Sequence, residues 1–169
     1  MLGSAWDLLH VRTHTTIYSI GPGRMPWWVP VEFALVYVAG VIGIARLGAP
    51  SLDARTRTRL VGEIAWVSVV YATTAIGHRH ELLVAAICIA GLIARSRTLR
   101  TVAWANPIPS IALVIAGPAV ESILIAAHVF RYTHASLGNI PLWLPLLYAN
   151  AVPFAVRLAE SSLSSGEIT

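Results

Sequence analysis

Five long apolar segments, separated by short polar stretches, dominate the pattern of this chain. They cover residues 27–46, 60–77, 82–94, 107–130 and 141–157. A helix that crosses a membrane needs roughly 20 apolar residues, so the third segment must borrow flanking residues or lie in a thinner bilayer. Backbone polar groups in lipid must be satisfied within the segment, which favours helices over strands. The pattern predicts an all-α, polytopic membrane helix bundle with five transmembrane helices.

The two ends of the chain differ from this pattern. Residues 1–20 include Asp7 and His10 and are too polar for an ordinary span, so we expect an interfacial helix or a short, partial first helix. Residues 161–169 are rich in serine and predict a disordered tail. Residues 21–160 form the predicted transmembrane bundle.

Composition agrees with a membrane location. Of the 169 residues, 56% are hydrophobic and 12% are charged, whereas a soluble domain carries about 25% charged residues. The single cysteine, Cys88, lies in an apolar segment, which excludes a disulfide framework. All twelve basic residues are arginine, and they lie in short loops, where they set topology and do not indicate nucleic-acid binding.

The arginines are divided unequally between the two sides of the predicted bundle. Eight lie on one side, namely Arg46, Arg55, Arg57, Arg59, Arg95, Arg97, Arg100 and Arg157, and four on the other, namely Arg12, Arg24, Arg79 and Arg131. The arginine-rich side is expected to be cytoplasmic, together with the C-terminus. The all-arginine, cysteine-poor composition is typical of a bacterium and so predicts the plasma membrane, or the endoplasmic reticulum if the protein is eukaryotic.

The stretch RMPWWVP, residues 24–30, then lies at the outer surface. Trp27 and Trp28 fit the aromatic belt at the headgroup boundary. Pro26 and Pro30 fit the first helical turn, where a missing N–H costs little.

Four short motifs, in order along the chain, resemble the Insig family. They are RMPWWVP at 24–30, ARSRT at 94–98, VFRYTHAS at 129–136 and WLP at 143–145, followed by Arg157. Insig proteins have six spans with both termini cytosolic, so the resemblance implies that the five segments match the second to sixth spans. The chain is identified as a prokaryotic member of this family.

The resemblance also implies a function without catalysis. Insig proteins bind oxysterols in the membrane and retain partners that carry a sterol-sensing domain. Ala94 replaces the acidic residue associated with partner binding, which argues against such a partner here. Bacteria usually contain little sterol, so the expected ligand is a sterol-like or diacylglycerol-like neutral lipid, held in an intramembrane cleft. No cofactor is expected.

The strongest candidate for a ligand-binding residue is Glu121. It lies deep in the fourth segment, where a charge costs roughly 2.5–3.5 kcal/mol and therefore indicates function. Pro118, one turn earlier, bends the helix and can open a polar pocket. Glu32 and Glu63 lie about one turn from an interface, where they can reach water. The predicted ligand-binding residues are Glu121, Ser122, Asn150, Tyr148, Tyr71, Thr74, Trp28 and Glu32; no catalytic or metal-binding residue is predicted.

Other interpretations remain open at this point. Five spans and tryptophan-proline-rich helix ends also resemble the TspO translocator family, although that family places its aromatic residues inside the helices. A small transporter or membrane enzyme could use Glu121 and His128, seven residues apart, as a proton relay. His10 and His14 have the i, i+4 spacing of two zinc ligands, but no third ligand accompanies them.

Alanine pairs at helix-packing spacing indicate close approach between helices. They are Ala86 with Ala90 and Ala112 with Ala116. Such pairs serve either the packing of the bundle or a homo-oligomer.

Overall fold

The computed structural model describes residues 2–46, 56–103 and 107–164. Arg55, which the orientation argument used, lies outside these ranges. The described elements, in chain order, are α1 (Leu2–Arg12), β1 (Thr16–Tyr18), α2 (Val29–Arg46), α3 (Thr56–Gly77), α4 (Glu81–Ala94), α5 (Ser96–Ala103), α6 (Pro107–Ala126), β2 (Phe130–Tyr132) and α7 (Leu144–Ser164).

Helix α7 forms the centre of the bundle. The helices α2, α3, α4, α5 and α6 all pack on it, while α1 packs on α2 and α3. Leu147, Val152 and Val156 of α7 are almost completely buried, as expected for a central helix with apolar residues on all sides. In contrast, α2 and α6 share few contacts with each other, although both pack on α7.

The outer surface of the bundle is strongly apolar. Large exposed side chains cover α4 and α6, including Leu82, Leu83, Ile93, Ile108 and Ile123. A soluble monomer rarely exposes apolar patches larger than a few hundred Å². The alanines of both predicted packing pairs are also exposed, so they do not hold the helices of one chain together. This surface fits contact with lipid or with another copy of the chain.

Among the described helices, one is both long and apolar enough to cross a membrane, the stretch Arg59–Gly77 with a mean hydropathy of 1.5 over 19 residues. The shorter apolar stretches are Val29–Ala39, Glu81–Ala94 and Ser110–Ala126. The helical bundle is therefore confirmed, while the number of spanning helices stays a prediction.

Two strands appear where the sequence predicted only helix or loop. β1 and β2 pair antiparallel, with Ile17 opposite Arg131. α6 ends at Ala126, not at residue 130, and His128 beyond it has a φ of 58°. A positive φ is uncommon outside glycine and ends a right-handed helix. The chain then turns back as β2 and lies against the N-terminal part of the molecule.

Two further boundaries differ from the prediction. The arginine-rich loop between α4 and α6 contains the short helix α5. α7 continues to Ser164, so residues 161–164 are helical and the predicted tail starts too early. Residues 165–169 lie outside the described part of the chain.

The first turn of α2 also differs from the prediction. The first helical residue is Val29, whose N–H bonds the carbonyl of Pro26 at 3.2 Å, so Pro26 precedes the helix and only Pro30 lies in its first turn. Trp27 is 83% exposed, as a belt residue would be. Trp28 is half-buried and meets Tyr18 edge to face, with ring centroids 6.0 Å apart.

Candidate functional site

The carboxyl group of Glu121 on α6 connects three elements. Tyr148 of α7 donates a hydrogen bond to its Oε1 at 2.7 Å, and Tyr132 of β2 donates one to its Oε2. Both hydrogen bonds go to a group that is acidic, and such bonds are stronger than those between neutral groups. Glu121 is therefore fixed in place from both sides, one turn beyond Pro118.

Glu121 lines a small, partly open cavity of about 40 Å³. Its walls come from α1, β1, α2, α3, α6, β2 and α7. The lining residues are Asp7, His10, Thr16, Tyr18, Phe33, Tyr71, Glu121, Phe130, Tyr132, Leu144, Leu147 and Tyr148. One water needs about 10–15 Å³ of such space, so the cavity can hold a small polar group, not an entire lipid.

A second acidic side chain lies on the opposite wall. Asp7 of α1 accepts a hydrogen bond from Tyr18 of β1 at 2.9 Å. Burial raises the pKa of the Tyr18 phenol, and burial raises the pKa of the Tyr132 phenol as well. Both tyrosines therefore stay protonated near neutral pH and serve as donors to their carboxyl partners.

Thr16 provides a polar atom that is not yet satisfied. Its side chain is buried, and its Oγ1 has no hydrogen-bond partner among the described residues. A buried hydroxyl without a partner costs about 1–3 kcal/mol. Thr16 is also one of the residues that line the cavity.

His10 attaches the short helix α1 to α3. Its Nε2 lies 2.9 Å from Oγ1 of Thr74, and its ring centroid lies 5.2 Å from that of Tyr71. Trp6 of α1 also stacks on Tyr71, with 5.2 Å between the two ring centroids. α1 is therefore a packed part of the cavity wall.

The structure brings together some of the predicted ligand-binding residues. Glu121, Tyr148 and Tyr71 line the cavity, and Thr74 lies directly behind His10. The side chains of Trp28, Glu32 and Ser122 do not line it; the carbonyl of Ser122 instead accepts a hydrogen bond from Asn139 at 3.0 Å.

Asn150 lies elsewhere and connects helices. Its Oδ1 accepts from Nε1 of Trp66 at 3.1 Å, and its Nδ2 donates to the carbonyls of Cys88 at 3.2 Å and Leu146 at 2.9 Å. These bonds join α3, α4 and α7. With its amide occupied in this way, Asn150 acts as a structural connector.

Nine of the twelve lining residues were absent from the predicted set; those with polar side chains are Asp7, His10, Thr16, Tyr18 and Tyr132. Asp7 and His10 are three residues apart and share one face of α1. The unusual polarity of residues 1–20 was the available signal, because a polar face on a helix in this position needs a polar cavity. Tyr132 lies within the motif VFRYTHAS, but nothing in the local sequence places it opposite Glu121.

Two arrangements considered from the sequence are wrong. His128 lies beyond the end of α6 and is exposed, so it does not share a helix face with Glu121. α1 ends at Arg12, and His14 is exposed with a φ of 59°, so the i, i+4 spacing from His10 is not helical. The predicted contact of Glu63 with water is also wrong. Glu63 is 4% exposed and pairs with Arg95 at 2.5 Å.

The fold and the cavity define a class: a helical membrane protein whose central helix and capping strands surround a polar, tyrosine-rich cavity. No protein-family model matches the chain. It is 32% identical over 160 residues to the INSIG protein homolog of Mycolicibacterium vanbaalenii, covering 89% of this chain and 76% of that protein. The chain therefore belongs to the Insig family, which confirms the resemblance seen in the motifs.

Solved structures agree with this assignment. The crystal structure of MvINS, an Insig homolog from Mycobacterium vanbaalenii, matches with a TM-score of 0.75 and 26% identity, covering 99% of this chain and 93% of that one. A cross-linked MvINS trimer matches with a TM-score of 0.71 and 24% identity, covering 99% and 91%. The second match shows the shared fold.

Proposed function

We propose that this protein is a non-enzymatic membrane protein that binds a neutral lipid, sterol-like or diacylglycerol-like, with the lipid hydroxyl at Glu121. The observation that carries the proposal is the hydrogen bonding of Tyr132 and Tyr148 to the half-buried Glu121, in a cavity whose other walls are largely aromatic and apolar. Ligand sites typically combine apolar walls with a few fixed polar groups, and an acidic residue inside a membrane segment marks such a site.

The polar groups of the cavity favour an uncharged head. Two acidic side chains, Asp7 and Glu121, line it, so a phosphate would be repelled and left without a basic partner. The hydroxyl of a neutral lipid can donate to a tyrosine oxygen or to Glu121. The free Oγ1 of Thr16 can receive or donate a second bond, for example to an ester carbonyl.

The body of the lipid needs space beyond the cavity. We place it between α2 and α6, which share few contacts. Phe33 of α2 and Glu121 of α6 both line the cavity. Binding then moves α2 and α6 apart, and this separation is the change that a lipid sensor could report. A ligand shifts such an equilibrium only by binding one state more tightly.

Mass spectrometry of lipids extracted from the purified protein tests the proposal. The expected result is a neutral lipid with a free hydroxyl, enriched to near one per chain over its share of the membrane. Glu121→Gln should reduce the enrichment several-fold, whereas Ser122→Ala, next to it but outside the cavity, should not. Recovery of bulk phospholipid alone, in bulk proportions, would contradict the proposal.

We also propose that the protein forms a homo-oligomer in the membrane. The exposed pairs Ala86 with Ala90 and Ala112 with Ala116 allow close helix approach between copies, and the cross-linked MvINS trimer supports assembly in this family. Light scattering of the detergent-solubilised protein measures the mass. Ala112→Leu with Ala116→Leu should lower it, whereas Ile115→Leu, on the same exposed helix, should not. A wild-type mass equal to one chain would overturn this proposal.

A further inference from the structure

A second and larger cavity lies at the arginine-rich end of the bundle. It is a wide cleft, open at the surface, with a volume of about 520 Å³, and it lies between the first turns of α3, the junction of α4 with α5, and the second half of α7. Four arginines line it, namely Arg59, Arg95, Arg97 and Arg157, together with Glu63 and Trp66. None of these residues takes part in the tyrosine-rich cavity, so the two sites are separate.

Buried contacts hold two of the arginines in fixed positions. Glu63 accepts from Nη2 of Arg95 at 2.5 Å and lies 3.6 Å from Nε of Arg157. The guanidinium carbon of Arg95 also lies 5.0 Å above the ring of Trp66, within the range of a cation–π contact. These arginines therefore face the cavity without the entropy cost of ordering free side chains.

Hydrogen-bonding capacity remains unused in this cavity. Nε of Arg157 is buried and has no hydrogen-bond partner among the described residues. Arg59 and Arg97 pair with no carboxylate in the described part of the chain. The nearby carboxylates are Glu63 and Glu160, the latter on α7 beside Arg157. Among the described residues, four arginines against two carboxylates leave a surplus of two positive charges.

We propose that this cavity binds a phosphate group, supplied by the headgroup of an anionic phospholipid or by a small water-soluble phosphate ester. Guanidinium groups suit phosphate because they donate two parallel hydrogen bonds. Basic pockets between membrane helices on the cytoplasmic side are typical headgroup sites. The cavity also has the size of small-molecule sites, roughly 300–1,000 Å³, so it has room for a glycerol headgroup as well as its phosphate.

Positive charge alone on this side would follow from topology, without any site. Topology requires neither a concave surface nor a buried Glu63 that holds two arginines side by side. These are the features that a phosphate site explains and that orientation of the chain does not.

Native mass spectrometry of the full-length protein in detergent tests the proposal with three probes: a short-chain phosphatidylglycerol, the matching phosphatidylcholine, and glycerol 3-phosphate. The phosphatidylglycerol should bind about tenfold more tightly than the zwitterionic phosphatidylcholine. If glycerol 3-phosphate competes at similar concentrations, the phosphate comes from a soluble ester; if it does not, the site needs the lipid.

Two variants with one matched control complete the test. Arg59→Gln with Arg97→Gln removes cavity charge while leaving Glu63 paired, and should weaken phosphatidylglycerol binding about tenfold. Arg157→Lys keeps the charge, and hence the topology, but loses the two-pronged donor, and should weaken it several-fold. Arg79→Gln with Arg131→Gln removes equal charge at the other end. Equal binding by wild type and both cavity variants, or an equal loss in the control, would overturn the proposal.

Discussion

The ring of Tyr148 lies directly against the backbone of Gly117. A Cβ atom at position 117 would come within 2.2 Å of Cε1 of Tyr148, closer than any real contact. The hydrogen bond from Tyr148 to Glu121 therefore depends on a residue without a side chain one turn earlier on α6. Gly117 sets the distance between α6 and α7 at the cavity.

Gly117→Ala should consequently impair the site although it adds a single methyl group. The ring of Tyr148 must move away, which breaks its bond to Glu121, and overpacking of this kind typically costs about 1–3 kcal/mol. We expect a lower unfolding temperature and a several-fold loss of bound neutral lipid. Gly43→Ala is the control, because nothing lies within 4 Å of a Cβ there. An unchanged lipid content in Gly117→Ala would show that Tyr148 does not hold the ligand.

Tyr132→Phe tests the connection between the strand pair and α6. The change removes one of the two donors to the half-buried Glu121, and a lost hydrogen bond of this kind costs about 1 kcal/mol. Thermal unfolding, followed by circular dichroism, should therefore begin at a lower temperature. Tyr37→Phe is the control, since its hydroxyl contacts Ser162 at an exposed position. Equal shifts of the unfolding temperature in the two variants would mean that the hydrogen bond from Tyr132 to Glu121 adds no more stability than the exposed contact of Tyr37.

The sequence predicted the bundle well because its signal is local. α2, α3, α4, α6 and α7 each overlap an apolar segment, and the positions of Pro30 in the first turn of α2 and Pro118 inside α6 could be placed from their neighbours alone. Glu121 stood out for the same reason, since a single acidic residue in an apolar run is costly wherever it packs.

The partners of Glu121 could not be found in this way. Tyr132 reaches it only because β2 pairs with β1, and that pairing joins residues far apart in the chain. Asp7 and Tyr18 meet because the chain turns back between α1 and β1. The prediction for Glu63 was wrong because its depth suggested contact with water. Its partners are Arg95, the residue that follows α4, and Arg157 of α7. Non-local contacts leave no periodic pattern in the sequence.

Thr74→Val tests whether α1 is an integral part of the bundle. The substitution keeps the shape of the side chain but removes the buried bond to His10, which leaves the imidazole nitrogen without a partner at a cost of about 1–3 kcal/mol. We expect α1 to detach more readily, with faster cleavage between residues 2–12 and α2 in limited proteolysis. Thr73→Val is the matched control, because the hydroxyl of Thr73 bonds only the Val69 carbonyl of its own helix, at 2.9 Å. Equal cleavage rates in both variants would mean that His10 does not anchor α1.

Glu63→Gln tests how far the cavity at the arginine-rich end depends on its single lining carboxylate. The side chain of Glu63 is 5% exposed, and those of Arg95 and Arg157 are 17% and 9% exposed. Breaking a buried pair typically costs about 3–5 kcal/mol, because the remaining charge is left uncompensated. Partial exposure of Arg95 to water reduces this to about 1–3 kcal/mol.

The unfolding temperature of Glu63→Gln should therefore fall, and added phosphatidylglycerol should restore part of it, since an anion replaces the missing charge. Glu32→Gln, half-buried and outside this cavity, should show no such rescue. If Glu63→Gln unfolds at the wild-type temperature and phosphatidylglycerol does not raise that temperature, the result would contradict both the buried pair and the phosphate site.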